Sequence, residues 1–278
     1  MRLKNVKAGK EVVGLQGIEL YREGRLVLKD VNLTICHGQQ WVMLGPNGSG
    51  KSSLLSVLQG LLWPIEGSIT VLGRRFGESD LTEMRKLIGF VGNEIEPQFP
   101  AWQTVLEIAE SGGSGTIGIQ FDKPKLVDKK RARKLLGQAG MLPLLHRPLA
   151  FLSQGQRRLA TIVRALMVKP GILILDEPAA GLDPVAREDF LDKLGTLMTE
   201  EKNNLGGPII LYVTHHVEEI IPTFTHALLL RQGRVLSQGP ISECLTSANL
   251  SKVFGRRVRI TKRNGRFSLR LVQRKRSG

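Results

Sequence analysis

Short runs of consecutive apolar residues recur along the chain, and turns and helix-like patterns separate them. The runs lie at 41–44 (WVML), 171–175 (GILIL) and 209–213 (IILYV), and none of them alternates between apolar and polar positions. Such runs are typical of parallel strands that are buried on both faces. A helix-like stretch, residues 52–62, follows the first run. The pattern predicts an α/β fold with a mostly parallel sheet at its centre.

Three further patterns predict parts outside this central sheet. Residues 12–35 predict an antiparallel β portion near the N-terminus. Between about 102 and 150, helix-like runs at 104–110 and 128–139 are joined by a Ser/Gly stretch at 111–115, which predicts an inserted helical subdomain with a flexible connection. Near the end of the chain, apolar residues alternate on both sides of Asn264-Gly265, the strongest two-residue hairpin signal, and predict a β-hairpin.

Composition sets limits on what the chain does. Its 278 residues are 41% hydrophobic and 23% charged, which is ordinary for a globular protein. No run approaches the roughly 18 apolar residues of a membrane span, and the first five residues lack a signal-peptide pattern. We therefore expect any work at a membrane to need a partner. The two cysteines, Cys36 and Cys244, match no metal-binding spacing and are expected to be reduced thiols.

Residues 45–52 read GPNGSGKS, directly after the first apolar run and directly before the helix-like stretch. In that setting glycines let backbone N–H groups face phosphates, Lys51 reaches the β- and γ-phosphates, and Ser52 can bind Mg²⁺. The residues predicted to contact the nucleotide here are Gly45, Pro46, Asn47, Gly48, Ser49, Gly50, Lys51, Ser52 and Ser53. The alternative, a glycine-rich turn without a ligand, must explain eight matching residues. The sequence therefore predicts binding of a nucleoside triphosphate.

A pair of carboxylates, Asp176 and Glu177, follows the apolar run at 171–175. Ligands bind at the carboxyl ends of strands in open α/β sheets. Because adjacent residues of an extended segment point in different directions, Asp176 can serve Mg²⁺ while Glu177 polarises the attacking water. The alternative is a solvated acidic turn, which the preceding buried strand and the phosphate loop disfavour.

Residues 151–158 read FLSQGQRR and precede an amphipathic helical pattern that runs to Met167. On physical grounds alone, Ser153 at a helix start is an N-cap and an anion site. Here the chain resembles the ATP-binding cassette family, whose signature Leu-Ser-Gly-Gly-Gln lies between the phosphate loop and the acidic strand. The resemblance implies that Ser153, Gly155 and Gln156 contact the ATP held by a second subunit. Gln154 replaces the first signature glycine.

The resemblance covers about residues 12–245 and implies further roles. Asp183, in Ala-Gly-Leu-Asp at 180–183, is similar to the family's loop at the dimer interface, and His215 is similar to its switch histidine, which contacts the γ-phosphate and orients water with Glu177. Tyr21 is similar to its adenine-stacking aromatic; the alternative is an aromatic packed on the core. A metal site at His215, His216 and Glu219 is a weaker alternative, because no third ligand is placed by the helical spacing.

One position departs from the family. Asn93 stands where the family has Gln; its side chain keeps the amide but is one methylene shorter, so its carbonyl is expected to reach Mg²⁺ through water. The change bears on how ATP is coupled to a partner rather than on ATP binding.

Charge is concentrated near the end of the chain. The net charge is +15, and residues 252–278 hold 11 of the 40 Lys and Arg with no Asp or Glu. In the predicted hairpin Ile260 opposes Leu269 and Val258 opposes Leu271, so the other face pairs Arg263 with Arg266 and Arg259 with Arg270. Like charges placed opposite each other destabilise a sheet. The face is either a solvated surface screened by salt or a site for anionic lipid, nucleic acid or an acidic protein.

The resemblance implies an ATP-binding and ATP-hydrolysing subunit of a membrane transporter, at residues 1–250, with a basic hairpin extension at 251–278. It implies ATP and Mg²⁺ as ligands, a polytopic transmembrane subunit as partner, a head-to-tail homodimer, and a cytoplasmic location on the membrane through that partner. The rival function is a non-transport ATPase of the same family that acts on nucleic acid, the ribosome or an assembly scaffold. The basic hairpin favours the rival; the single cassette and the absence of heptads disfavour it.

Overall fold

In the computed structural model, residues 9–78, 80–92, 99–114, 126–205 and 207–272 are described. The strands are β1 (Glu11–Arg22), β2 (Arg25–Cys36), β3 (Trp41–Leu44), β4 (Glu66–Val71), β5 (Arg74–Arg75), β6 (Ile88–Val91), β7 (Ile172–Asp176), β8 (Ile209–Thr214), β9 (His226–Arg231), β10 (Arg234–Pro240), β11 (Val258–Arg263) and β12 (Arg266–Leu271). The helices are α1 (Lys51–Leu58), α2 (Leu81–Arg85), α3 (Val105–Ser114), α4 (Leu126–Gln138), α5 (Gln154–Met167), α6 (Pro184–Leu205), α7 (Ile241–Cys244) and α8 (Ser247–Phe254). The predicted α/β fold is confirmed.

The chain forms two compact units, residues 1–85 with 211–278 and residues 86–210. The first unit contains the antiparallel sheet β2-β1-β4-β5, which confirms the antiparallel portion predicted at 12–35. It also contains β3 in parallel between β8 and β9, with β10 antiparallel at the outer edge of β9. All four residues of β3 are at most 2% exposed. Burial of a large apolar side chain contributes about 1.5–3 kcal/mol, which explains why this strand is continuously apolar.

The second unit holds the parallel pair β6 and β7 and the helices α3 to α6. Helix α5 turns a buried apolar stripe inward, including Leu159, Ile162, Val163 and Leu166. The pattern of that stripe is what predicted an amphipathic helix ending at Met167. None of the helices within the described ranges is both long and apolar enough to cross a membrane.

Two predicted helix boundaries are wrong for identifiable reasons. Helix α1 ends at Leu58 rather than at 62, because Gly60 takes a positive φ of 66° and the N–H of Leu61 bonds the carbonyl of Ser56. The Ser/Gly stretch at 111–114 is the last turn of α3 rather than a flexible connection. A Cβ on Gly112 would overlap the carbonyl oxygen of Arg164, so this glycine allows α3 and α5 to approach closely.

The predicted hairpin is confirmed in its turn and in its register. Asn264 and Gly265 both have positive φ, 49° and 78°, as a type I′ turn requires. Ile260 opposes Leu269 and Arg259 opposes Arg270, as predicted. We call residues 258–271 the basic hairpin. Both cysteines are free, as expected.

Candidate functional site

The phosphate loop connects β3 to α1 in the first unit, and its glycines are needed by the backbone. A Cβ on Gly45 would lie 2.6 Å from Oγ of Ser49 and would overlap the carbonyl oxygen of Leu230. Gly48 and Gly50 have positive φ, 74° and 104°. The N–H of Ser49 bonds the carbonyl of Pro46 at 3.1 Å and closes the loop. Glycine conformations of this kind before a helix N-terminus form anion-binding concavities.

Polar groups of the loop match an oxyanion. Lys51 is 6% exposed, and its Nζ donates to the carbonyl oxygens of Gly45 at 2.9 Å and Pro46 at 3.3 Å. Ser49 is 3% exposed, and its Oγ has no hydrogen-bond partner in the part of the chain that the structure describes. A buried hydroxyl without a partner costs about 1–3 kcal/mol. The loop therefore holds a cation and an unused polar group of the type that phosphate oxygens satisfy. Asn47 and Ser52 are exposed, and Ser53 is half-buried.

A supporting residue that the sequence analysis missed is Gly233, in the turn between β9 and β10. Its N–H donates to the carbonyl of Ser49 at 2.9 Å, and its own carbonyl accepts from the N–H of Lys29. A Cβ there would overlap the carbonyl of Val27. The available signal was the pair Gln232-Gly233, which follows the apolar run at 227–230 after one arginine and is typical of a tight turn.

The first unit also brings His215, the predicted switch histidine, to the edge of the sheet where the phosphate loop begins. Strands β3 and β8 are parallel with Leu44 opposite Thr214, so Gly45 and His215 follow side by side at the same edge of the sheet. His215 is half-buried. Tyr21 lies on β1 and is 49% exposed, so about half of its surface is accessible for stacking and its role in adenine binding stays a prediction.

The second unit carries the acidic pair. Strands β6 and β7 are parallel with Val91 opposite Leu175, and both Asp176 and Glu177 are half-buried where β7 ends. Glu177 has a φ of 47°, precedes Pro178 and accepts a hydrogen bond on its carbonyl from the N–H of Ala180 at 3.0 Å. No local sequence pattern indicates this left-handed backbone. Asn93, the predicted metal ligand after β6, lies outside the described residues.

The signature segment begins α5 with a capping box. The N–H of Gln156 donates to Oγ of Ser153 at 3.3 Å, and the N–H of Ser153 donates to Oε1 of Gln156 at 3.0 Å. The N-cap interpretation is therefore realised, and the hydroxyl hydrogen of Ser153 is still a donor for an anion. A Cβ on Gly155 would make only ordinary contact, 3.7 Å to Leu182. Packing within the chain does not require glycine at this position.

The loop at 180–183 lies beside the signature in the same unit. Nε2 of Gln154 donates to the carbonyl of Ala180 at 3.3 Å. Asp183 is exposed, and its Oδ1 accepts from the N–H groups of Val185 and Ala186, both at 2.9 Å, so it caps α6. The second unit thus groups Ser153, Gly155, Gln156 and Asp183, and the first groups the phosphate loop and His215.

The alternative metal site is not supported. Glu219 is 2% exposed and accepts a hydrogen bond from the hydroxyl of Tyr212 at 2.9 Å. Within the described residues no group of three or more His, Cys, Asp or Glu side chains is arranged to hold a metal ion.

Comparison with protein families gives a match consistent with this geometry. The sequence model of the ABC transporter family matches residues 28–180, more than half of the chain. A model described as an AAA domain matches residues 145–220, a shorter segment that overlaps the first.

Known proteins are similar over most of the chain. The uncharacterized ABC transporter ATP-binding protein YlmA of Bacillus subtilis is 40% identical over 244 residues, 87% of this chain and 90% of YlmA. Among solved structures, CbiO1 of Clostridium perfringens, part of the ABC transporter complex CbiONQ, has a TM-score of 0.74 and 27% identity, covering 87% of this chain and 93% of CbiO1. A dimeric post-hydrolysis ATP-binding cassette bound to ADP and Pi has a TM-score of 0.65 and 27% identity, covering 83% and 99%.

Proposed function

This chain belongs to the ATP-binding cassette family as an ATP-hydrolysing subunit of a membrane transporter, and from that membership we propose which residues carry the cycle of ATP binding, hydrolysis and release. The phosphate loop at 45–53 binds the triphosphate, Glu177 is the general base, and His215 orients the attacked γ-phosphate and the water. Tyr21 stacks on the adenine. Dimer closure on ATP and opening after hydrolysis drive the transmembrane partner.

The observation that carries this proposal is the phosphate loop itself. Gly45 leaves no room for a Cβ, Gly50 has a left-handed φ of 104°, the ammonium of Lys51 is buried against loop carbonyls, and Ser49 has a buried hydroxyl without a partner in the described residues. This combination fits a polyphosphate: fixed N–H donors, one cation and one spare hydroxyl. A turn that served folding alone would use the ammonium of Lys51 for its carbonyls, but it has no need for the buried spare hydroxyl of Ser49.

Magnesium fits the chemistry of the donors. Ser52 offers a hydroxyl in the first turn of α1 and Asp176 a carboxylate at the end of β7, and hard oxygen ligands of this kind are what Mg²⁺ prefers. The carbonyl of Asn93 is a further donor, acting through water because its side chain is short. When bound, the ion neutralises charge on the phosphates.

Glu177 is suited to act on water because β7 and the following turn fix its backbone. Its carboxylate follows the magnesium carboxylate directly, and the left-handed φ turns the chain away from the strand direction at this residue. A residue held in such a conformation costs about 1–3 kcal/mol, which is tolerated where the position of a side chain matters.

The second subunit completes each ATP site in this proposal. Ser153, Gly155 and Gln156 at the N-terminus of α5 and Asp183 in the adjacent loop contact the ATP held by the other copy, as part of a symmetric head-to-tail dimer. Ser153 and Asp183 are exposed, and the related cassette with ADP and Pi is a dimer. The transmembrane partner holds the dimer at the cytoplasmic face of the membrane. The basic hairpin binds an anionic partner, which is a lipid, a nucleic acid or an acidic protein.

The test is Glu177→Gln, compared with Asp192→Asn, an exposed carboxylate of α6. Loss of the general base should lower steady-state hydrolysis by about 10²–10⁴-fold and leave ATP binding intact, so the dimer should persist with ATP in sedimentation experiments. The control should hydrolyse ATP like the parent and should not trap the dimer.

Hydrolysis within twofold of the parent in Glu177→Gln would refute the role of Glu177 as the base.

Co-purification distinguishes transport from the rival, non-transport function. Retention of a polytopic membrane protein supports transport, whereas salt-sensitive retention of RNA or DNA without it supports the rival.

A further inference from the structure

The segment that follows His215 is anchored from two sides within the first unit. On the inner side, the hydroxyl of Tyr212 on β8 donates to Oε2 of Glu219 at 2.9 Å, and both side chains are at most 2% exposed. Glu219 is the last residue of a single 3-10 turn, 217–219. Before this turn, the N–H of His216 donates to Oγ1 of Thr214 at 3.0 Å. The switch histidine therefore lies between a buried strand and a short, hydrogen-bonded turn.

On the outer side the anchor is the basic hairpin, which binds Glu218 twice. The backbone N–H of Leu269 donates to Oε1 of Glu218 at 3.2 Å, and Nη2 of Arg266 donates to the carbonyl oxygen of Glu218 at 2.8 Å. Pro222 lies against the hairpin turn, because a Cβ on Gly265 would be 2.9 Å from its Cγ. Arg266 pairs with Arg263 as predicted, but it is half-buried and bonded to Glu218, so it is not a solvated member of the arginine face.

The geometry of a two-residue hairpin explains why Leu269 is available. Arg263 and Arg266 flank the turn and form a hydrogen-bonded pair, and these pairs alternate along the ladder. Ile260 and Leu269 are consequently a pair without mutual hydrogen bonds, and the N–H of Leu269 points to the outer edge of β12. The carboxylate of Glu218 satisfies this edge donor, and charge assistance strengthens the bond.

The hairpin is itself fixed to the domain. Oγ of Ser251 accepts from the N–H of Val258 at 3.0 Å, Oγ of Ser247 accepts from the N–H of Ile260 at 3.1 Å, and Val258 is 4% exposed. Both serines belong to α8, which lies directly before the hairpin in the chain. Because β11 of the basic hairpin is bonded to α8 and β12 is bonded to Glu218, the hairpin restrains the 3-10 turn at 217–219.

We propose that Glu218 is a positioning residue for ATP hydrolysis: clamped by Arg266 and Leu269 of the basic hairpin, it holds the backbone that places His215. The inference rests on the proposed role of His215. Glu218 touches no reacting group and acts only through the histidine three residues before it. Small displacements of a positioned group lower catalysis more than substrate binding.

The experiment compares Glu218→Ala with Glu218→Gln, which keeps Oε1 as an acceptor for the N–H of Leu269. An exposed glutamate of α7 supplies the matched control, Glu243→Ala. In the full-length chain we expect Glu218→Ala to lower kcat for ATP about tenfold with KM within about twofold, Glu218→Gln to keep at least half of kcat, and Glu243→Ala to match the parent. Arg266→Met tests the second bond and should also lower kcat with little change in KM.

A double-mutant cycle with His215→Ala separates positioning from a purely structural role. If Glu218 acts through His215, Glu218→Ala should lower kcat no further in the His215→Ala background. Independent, multiplicative losses would overturn the inference, as would an unchanged kcat in Glu218→Ala and Arg266→Met. Unchanged hydrolysis in both His215→Ala and Glu177→Gln would instead refute the proposed catalytic residues. Circular dichroism and thermal unfolding check that each variant is folded.

Discussion

The backbone conformation of Glu177 distinguishes the acidic pair at 176–177 from an ordinary solvated turn. Glu177 combines a positive φ with a following proline at the end of a buried strand. Most side chains avoid this region because Cβ crowds the neighbouring backbone. The turn to Ala180 and the strand β7 together hold the residue there. The strain is consistent with a side chain whose position is selected for chemistry rather than for packing.

The hydrogen bonds of the His226 ring lead us to expect that the stability of the protein depends on pH. Oε1 of Gln39 accepts from the N–H of Cys36 at 2.8 Å and from Nε1 of Trp41 at 2.9 Å, which fixes the orientation of the Gln39 amide. Its Nε2 can then only donate, so Nε2 of His226, at 3.1 Å, must accept. The histidine is therefore neutral and carries its proton on Nδ1, 2.8 Å from Oγ1 of Thr225. Burial lowers its pKa.

Because the pKa of His226 is lower in the folded state, the unfolded chain binds the proton first. The contribution of His226 to the free energy of unfolding should be complete above about pH 6.5. It should decline as the pH falls from about 6.5 towards the pKa of the folded state, with a slope of up to about 1.4 kcal/mol per pH unit. His226→Phe keeps a ring to stack on Trp41 and removes the titration. Urea unfolding between pH 5 and pH 8 should show a shallower slope for this variant; equal slopes in both proteins would contradict the assignment.

At the scale of elements, the caps show how one residue can satisfy both interpretations of a motif. Ser153 caps α5 and Asp183 caps α6, each through bonds within the chain. Each cap is worth about 1 kcal/mol to its helix. These bonds account for Ser and Asp at the two positions without any ligand, so the residue types alone do not distinguish a cap from a nucleotide contact. Gly155, which packing does not require, is the stronger pointer to a function outside the chain.

The close approach of α3 and α5 gives a prediction about stability. Gly112→Ala places a methyl group against the carbonyl of Arg164 and 2.9 Å from Cβ of Met167, and should lower the free energy of unfolding by about 1–3 kcal/mol. The matched control is Gly137→Ala in α4, where the new Cβ would be 3.6 Å from Leu142. This control should be neutral or stabilising by up to about 1 kcal/mol, because Ala favours helix. Denaturant unfolding of both variants tests the contrast, and equal effects would contradict it.

The strands, the hairpin and the end of α3 show which parts of the fold sequence patterns could predict and which they could not. Continuous apolar runs predicted β3, β7 and β8, because strands buried on both faces leave no polar position, and the Asn-Gly turn fixed the hairpin register through its own geometry. Ser/Gly content at 111–114 predicted a linker, because glycine that permits helix contact and glycine that permits flexibility are identical in sequence. The bond between Glu218 and Leu269 joins residues 51 positions apart, and no local pattern encodes such a pairing.

For the whole molecule, the uneven distribution of charge is the feature that the catalytic residues leave unexplained. Of the arginines on the open face of the basic hairpin, Arg259, Arg263 and Arg270 are exposed, and a hydroxyl pair, Thr261 and Ser268 at 2.8 Å, lies between them. Arg266 is set apart by its bond to Glu218. The three exposed arginines can therefore be changed without removing the bonds of Arg266 and Leu269 to Glu218, so an experiment can test partner binding separately from hydrolysis.

Changing Arg259, Arg263 and Arg270 together to Gln should leave basal hydrolysis near that of the parent and should not lower stability, because Arg259 and Arg270 lie directly opposite each other. Binding to vesicles of phosphatidylserine and phosphatidylcholine, to duplex DNA or RNA, or to the transmembrane partner should weaken, and its salt dependence should flatten as ionic contacts are lost. The control removes the same charge from another surface: Lys129, Lys130 and Lys134, exposed on α4, changed together to Gln. Equal losses in both variants would show that net charge alone drives binding. Unchanged affinity and salt slope in the hairpin variant would show that its face is solvated surface.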